Sequence, residues 1–210
     1  MLNVLVVFVV IIFSMTLHEI AHGYAAYFLG DTTAKDEGRL SLNPLVHLDP
    51  WTSVALPLLL YIMGGPVFGG ARPVPVDSRR LKWGEWGMAL LALAGPAMNL
   101  LLAFAGFLIG HFSGMLYEGG LLGLFFVEMV LANLGFAVFN LLPIPPLDGS
   151  RVLYALAPDG VRRVMMQMEQ TLGILVVFAL VMVFGTALGN FTSGVMDGIL
   201  EAFYWVVGVR

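Results

Sequence analysis

Cysteine is absent from the chain. That excludes disulfides and thiolate metal ligands together, so a transition metal here has only histidine and carboxylate to hold it. Charge is scarce as well: Asp, Glu, Lys and Arg make up 11% of the 210 residues, 59% are hydrophobic, and the mean hydropathy is +0.90. Soluble domains carry about 25% charged residues, so this composition is that of a membrane protein. The formal charge of -4 is spread over scattered residues with no acidic or basic block, which speaks against a nucleic-acid partner. No basic segment precedes the first apolar run. Met1, Leu2 and Asn3 lead straight into it and it continues to His18, so it is read as a retained membrane helix and not as a secretory signal. Neither an internal repeat nor a low-complexity tract is present. A crossing takes about 20 apolar residues, and several such stretches leave no length for a sizeable soluble domain. A single membrane-embedded domain over residues 1–210 is expected, with its core at about 4–155 and peripheral helices over 156–210.

What is there reads as an all-α, polytopic helical bundle. Residues 4–28 form a helix interrupted by Ser14, Thr16, His18, Glu19 and His22, and Gly30-Asp31 stops it. Residues 31–50 are polar. Within them Gly38-Arg39-Leu40-Ser41-Leu42 alternates like a short strand, and Asn43-Pro44 and Asp49-Pro50 signal turns. Residues 51–70 are apolar yet carry Pro57, Gly64, Gly65, Pro66, Gly69 and Gly70, the composition of a broken segment. A strand-containing or re-entrant insertion is therefore expected between the first and second full spans. Residues 71–85 hold Arg72, Arg79, Arg80 and Lys82, and three further runs, 86–110, 121–142 and 172–188, are each long enough to span. The tail from 190 to 210, with Asp197 and Glu201 inside an apolar pattern, fits either a partial span or an interfacial helix.

The chemistry is concentrated in His18-Glu19-Ile20-Ala21-His22. Histidines four apart on a helix project from one face and can bind one ion. In metalloproteases of this pattern the glutamate is the general base toward zinc-activated water. Shuffling this composition gives the pattern in roughly one chain in 400, so chance is a poor account of it. Three ionisable residues within one turn of a membrane helix are costly unless they ligate, pair or line a wet cavity. Catalytic zinc takes three protein ligands and keeps a fourth position open. Candidates for the third are His47, His111, Glu128 and Asp148. Asp148 follows the irregular Pro143, Pro145 and Pro146 and precedes Gly149, a backbone able to aim a carboxylate into a bundle. It is equally placed to cap the helix that Gly149-Ser150-Arg151 opens.

Two motifs give the chain a resemblance. It resembles the site-2 protease family of intramembrane zinc metalloproteases, which carries HExxH on one membrane helix and a distal N-x-x-P-x-x-x-L-D-G. Here these are residues 18–22 and Asn140-Leu141-Leu142-Pro143-Ile144-Pro145-Pro146-Leu147-Asp148-Gly149. Gly95-Pro96-Ala97-Met98-Asn99 fits the family's Gly-x-x-x-Asn element, and the resemblance runs from about residue 10 to 155. It implies one zinc per chain held by His18, His22 and Asp148, with Glu19 as general base. It further implies that Asn99 and Asn140 hold substrate or the oxyanion, beside their ordinary reading as interhelical hydrogen-bonders. His47 is a third such candidate, against its reading as a loop residue. The PDZ or CBS domain of some members has no counterpart, so regulation by such a domain is absent or supplied in trans.

The two halves of the site constrain the threading. Zinc at His18 and His22 lies about two-thirds along the first helix, roughly 10–15 Å from its C-terminal end, and Asp148 follows the C-terminal end of the 121–142 span. The two helices then run parallel, and one of the two intervening apolar runs does not cross; residues 51–70 are the candidate. The alternative has both runs cross and bends residues 143–148 back inward. The basic 71–85 loop puts the site toward the cytoplasm of a multi-pass cell-membrane protein, with the N-terminus outside. The implied function is regulated intramembrane proteolysis: hydrolysis of peptide bonds in or near transmembrane segments, in contact with the lipid bilayer. The rival readings are an ion-binding or transport protein and an inactive relative that only binds membrane substrates. Glu19 between two histidines argues against the first, and the intact His18, Glu19, His22 and Asp148 set argues against the second.

Overall fold

The computed structural model describes residues 2–62, 69–171 and 173–209. All regular structure among them is helical: α1 (Leu2–Phe28), α2 (Thr33–Asp36), α3 (Leu56–Ile62), α4 (Glu85–Phe112), α5 (Leu121–Asn140), α6 (Gly149–Leu156), α7 (Asp159–Thr171) and α8 (Ile174–Val206). Four of these, α1, α4, α5 and α8, are long and apolar enough to cross a membrane. At 1.5 Å per residue the shortest, α5, is about 30 Å long, the thickness of the hydrocarbon core.

α1 buries Val10, Ser14, His18, His22 and Ala26, one residue every four. That spacing keeps a single stripe on one side of the helix, while the apolar Leu5, Phe8, Val9 and Phe13 are exposed. The stripe meets α4. Gly87, Ala92, Gly95, Asn99, Ala103, Gly106 and Gly110 lie on the buried face of α4, and small residues at this spacing let helix backbones approach closely where no water drives association. α4 is the central element, packed on α1, α5 and α6. Gly30, at φ 104°, ends the first helix in a backbone region open to glycine.

The order of contacts fixes the threading. His18 meets Asn99 and His22 meets Leu91, so α4 runs against α1, and Lys82 N–H donates to Leu29 O at 2.8 Å where one ends and the other is about to begin. Asn133 of α5 reaches Ser14, and Asp148 beyond the end of α5 reaches His18 and His22. α1 and α5 are therefore parallel.

Two expectations about the intervening chain need correction. Residues 38–42 form no strand. Gly38 and Arg39 N–H groups close back on Lys35 O and Ala34 O, no neighbouring strand offers a ladder, and Arg39 is buried while Leu42 is exposed, the reverse of what the alternation implies. Nor is a re-entrant path found among the described residues. A π-helical turn, Pro50–Ala55, runs directly into α3. Gly70 N–H donates to Thr52 O at 3.0 Å, and Ser53 Oγ donates to Gly70 O at 2.6 Å. Thr52 and Ser53 thus lie directly against Gly70. Gly64, Gly65 and Pro66, which suggested a broken helix, lie outside the described residues.

The tail, expected as a partial span or an interfacial helix, does not begin as an element of its own. It continues α8, and Met196, Ile199, Leu200 and Phe203 pack on the Phe107 and Leu134 cluster between α4 and α5.

Candidate metal centre

The i, i+4 stripe on α1 delivers both histidines to the same point of α4, and Gly95 makes room for them. A methyl group built on Gly95 would lie 2.6 Å from His18 Nε2 and closer still to His22 Nε2. No residue with a side chain fits there. The next residue, Pro96, lacks the N–H that would bond the Ala92 carbonyl, and one turn before Gly95 the Leu91 carbonyl accepts from His22 Nδ1 at 2.9 Å.

The proton positions follow from the bonding. Asn133 Nδ2 faces Met129 O at 2.9 Å and Ser14 Oγ at 2.8 Å. A carbonyl only accepts, so the atom facing it is the amide nitrogen. Asn133 Oδ1 then accepts from Asn99 Nδ2 at 2.8 Å. This turns Asn99 Oδ1 to His18 Nδ1 at 2.6 Å, and that nitrogen must carry the proton. His22 Nδ1 is protonated likewise by its bond to a carbonyl. Both Nε2 atoms are left with lone pairs.

Those lone pairs converge on a carboxylate. The two Nε2 atoms are 3.0 Å apart, and Asp148 Oδ2 lies 3.3 Å from His18 Nε2 and 3.4 Å from His22 Nε2. Asp148 precedes α6 but its side chain makes no capping bond, and buried Oδ2 has no hydrogen-bond donor. Three acceptors facing one another with no proton between them repel unless a cation sits among them. Tetrahedral zinc with bonds of about 2.0–2.2 Å separates its ligand atoms by about 3.3–3.6 Å; both histidine–carboxylate distances match this, the 3.0 Å between the Nε2 atoms is a few tenths shorter, and the donor set suits the ion. Among the described residues this is the group of His and carboxylate side chains that could hold a metal. Gly149 completes the geometry: a methyl there would meet Leu141 O and lie 2.7 Å from Leu142 O, so only glycine lets α6 start against the end of α5 and bring Asp148 inward.

Glu19 sits beside this cluster in the wall of a cavity of about 610 Å³, together with Asn140, Asp148, Pro73 and Val74. One amide N–H of Asn140 donates to Phe136 O at 3.0 Å, and the residue lines the cavity. Residues 71–77 pass the opening without helix or turn. Arg39 Nη2 holds this strap by donating to Arg72 O at 2.7 Å, and Asp31 Oδ2 holds it by accepting from Asp77 N–H at 2.7 Å. Asp77 lies on the exposed side, where the Arg79 guanidinium keeps its carboxyl below the usual range.

Not every candidate joins the site. Asn99 is fully buried, with Oδ1 and Nδ2 engaged by His18 and Asn133, so it faces a candidate metal-binding histidine and does not line the cavity. His47 is a loop residue: its Nε2 donates to Ser41 O at 2.8 Å and its carbonyl accepts from Arg72 N–H. His111 bonds Tyr117 Oη at 2.6 Å, beyond the opposite end of α4. Sequence reasoning missed Asn133, Ser14 and Leu91. Asn133 was open to notice as a lone amide amid apolar α5, whereas a backbone carbonyl such as that of Leu91 leaves no trace in a sequence.

Comparison with known proteins agrees with the geometry. Residues 112–184, which include α5 and Asp148, match the model of peptidase family M50. The chain is 42% identical over 207 residues to YwhC of Bacillus subtilis, covering 93% of this chain and 89% of that one. It is 31% identical over 203 residues to Rip2 of Mycobacterium tuberculosis, covering 92% and 69%. Both relatives are provisionally named zinc metalloproteases. No solved structure matches. The resemblance carried by the two sequence motifs is borne out at nearly full length: the chain belongs to peptidase family M50.

Proposed function

We propose that this chain is an intramembrane zinc metalloendopeptidase of the site-2 protease type, cutting peptide bonds in or near transmembrane segments of other membrane proteins. His18, His22 and Asp148 hold the ion and Glu19 is the general base. The observation that carries this reading is the convergence of two histidine Nε2 atoms and an unpaired Asp148 Oδ2 within 3.0–3.4 Å, on helices apolar enough to span. When bound, zinc polarises a carbonyl and acidifies water. The Glu19 carboxylate takes the proton of the attacking water and returns it to the leaving amine. Asn140 has an N–H free for the substrate carbonyl, where charge develops during attack.

A peptide bond inside a transmembrane helix is hidden by its own hydrogen bonds, so substrate unwinds before it is cut. The strap at 71–77 is the surface in this reading along which the unwound segment lies in extended form. Pro73 and Pro75 donate no N–H, which keeps the strap from closing its own ladder. The whole chain acts as one membrane-embedded domain. The centre is placed 6 to 10 residues, roughly 9–15 Å, from the end of α1. That end carries the basic 72–82 segment and so belongs to the cytoplasm. The test is comparative membrane proteomics of cells making the intact chain or Glu19→Gln. Fragments cut within membrane spans are expected with the former alone, and equal fragmentation in both overturns Glu19 as the base.

A further inference from the structure

Asn133 contacts neither the cavity nor a metal-binding atom, yet it is fully buried at the head of a directed chain of hydrogen bonds. Its amide is fixed by two acceptors on one side, Met129 O and Ser14 Oγ at 2.9 and 2.8 Å. On the other side it offers Oδ1 to Asn99 Nδ2 at 2.8 Å. Asn99 is symmetric in shape: its Oδ1 and Nδ2 exchange places when the amide turns over. Only Asn133 Oδ1 determines which of them faces His18 Nδ1.

We propose that Asn133 is a positioning residue for the metal centre, selecting through Asn99 the His18 tautomer that bears its proton on Nδ1 and its lone pair on Nε2. The inference rests on the zinc reading above and extends it to a residue two side chains from the ion. Without Asn133 Oδ1, Asn99 is free to turn over and present Nδ2 to His18. The imidazole then accepts at Nδ1 and carries its proton on Nε2. That proton points at Asp148 Oδ2, 3.3 Å away. Histidine and aspartate then satisfy each other and the site is closed to a cation. Outer hydrogen bonds that set ligand tautomers are worth about 10–100-fold in metal affinity. A purely interhelical amide, the bland reading of Asn133, would change stability and leave both tautomer and affinity alone.

The experiment uses the full chain in detergent micelles with ¹⁵N-labelled histidine. In the metal-free protein the His18 signals, assigned by loss in His18→Gln, are expected to show a protonated Nδ1 and an unprotonated Nε2. Asn133→Leu is expected to shift them toward the opposite tautomer and to weaken zinc binding, measured by chelator competition, by about 10–100-fold. Asn133→Asp keeps an oxygen for Asn99 and should bind zinc within a few-fold of the parent. Ser14→Ala, which leaves the Met129 bond to Asn133, should change neither readout. A parent protein with its His18 proton on Nε2 overturns the proposal with no variant needed, even if Asn133→Leu fails to fold. A folded Asn133→Leu with unchanged tautomer and affinity overturns it too. Failure of the parent to bind zinc removes the metal reading instead, and the tautomer measurement still decides the relay.

Discussion

Asp148 Oδ2 lies 3.3 Å from His18 Nε2, joining the loop after the third helix long enough to span to the middle of the first. The carboxylate has no donor of its own, and a cation between the members of the pair would relieve their repulsion. Asp148→Ala removes one of three ligands. Its zinc affinity should fall by more than the roughly 100-fold that a lost outer partner costs, and proteolysis should fall with it. Chelator competition on the purified variant checks this; affinity within a few-fold of the parent would move the third ligand elsewhere.

Gly95→Ala places a methyl 2.6 Å from His18 Nε2. Overpacking of this kind costs about 1–3 kcal/mol, and misplacing catalytic groups by an ångström costs about 100-fold in rate. The variant should remain folded, with a lower melting temperature and a disproportionate loss of cleavage. Gly135→Ala, where no neighbour stands within 4 Å, should be close to neutral. Equal activity of the two variants would show that the histidines do not rest on the backbone of α4.

Asp31 is buried and accepts from Thr33 N–H, Thr33 Oγ1 and Asp77 N–H at 3.0, 2.6 and 2.7 Å. Asp31→Ala strands three donors, at about 1–3 kcal/mol for each left without water, and frees one end of the 71–77 strap. A melting temperature lowered by several degrees is expected, with a rise in KM for a membrane substrate larger than the fall in kcat. Loss confined to kcat would separate the strap from substrate binding.

The motifs made the two histidines of the proposed centre legible because HExxH is local: four residues of helix determine where both imidazoles point. Asp148 was legible only through its motif, since its residues alone served equally well for a helix cap. The Asn99 amide was visible as a polar residue on an apolar span, but its partner decides whether it serves substrate or ligand, and that partner, Asn133, is on another helix. The strand expected at 38–42 failed for a related reason. Alternation over five residues indicates an exposed and a buried face only where a neighbouring strand exists. Here Arg39 turns inward to the carbonyls of Arg72 and Pro73 instead.

Arg79 precedes α4 and Glu118 follows it, so an α4 that crosses the membrane puts the two on opposite sides. The chain has no cysteine, so single cysteines report without background. In intact cells an impermeant maleimide should label Glu118→Cys and spare Arg79→Cys until the membrane is opened. The reverse pattern would keep the fold and invert the proposed orientation. Labelling of both in intact cells would break the threading itself.

The most direct test of the metal centre is the zinc content of the purified full chain, measured beside Glu19→Gln and Asp148→Ala. One zinc per chain is expected in the parent and in Glu19→Gln, which keeps all three ligands, and much less than one in Asp148→Ala. Stoichiometric zinc in all three, or none in the parent after purification without chelator and with zinc supplied, would contradict a centre built from His18, His22 and Asp148.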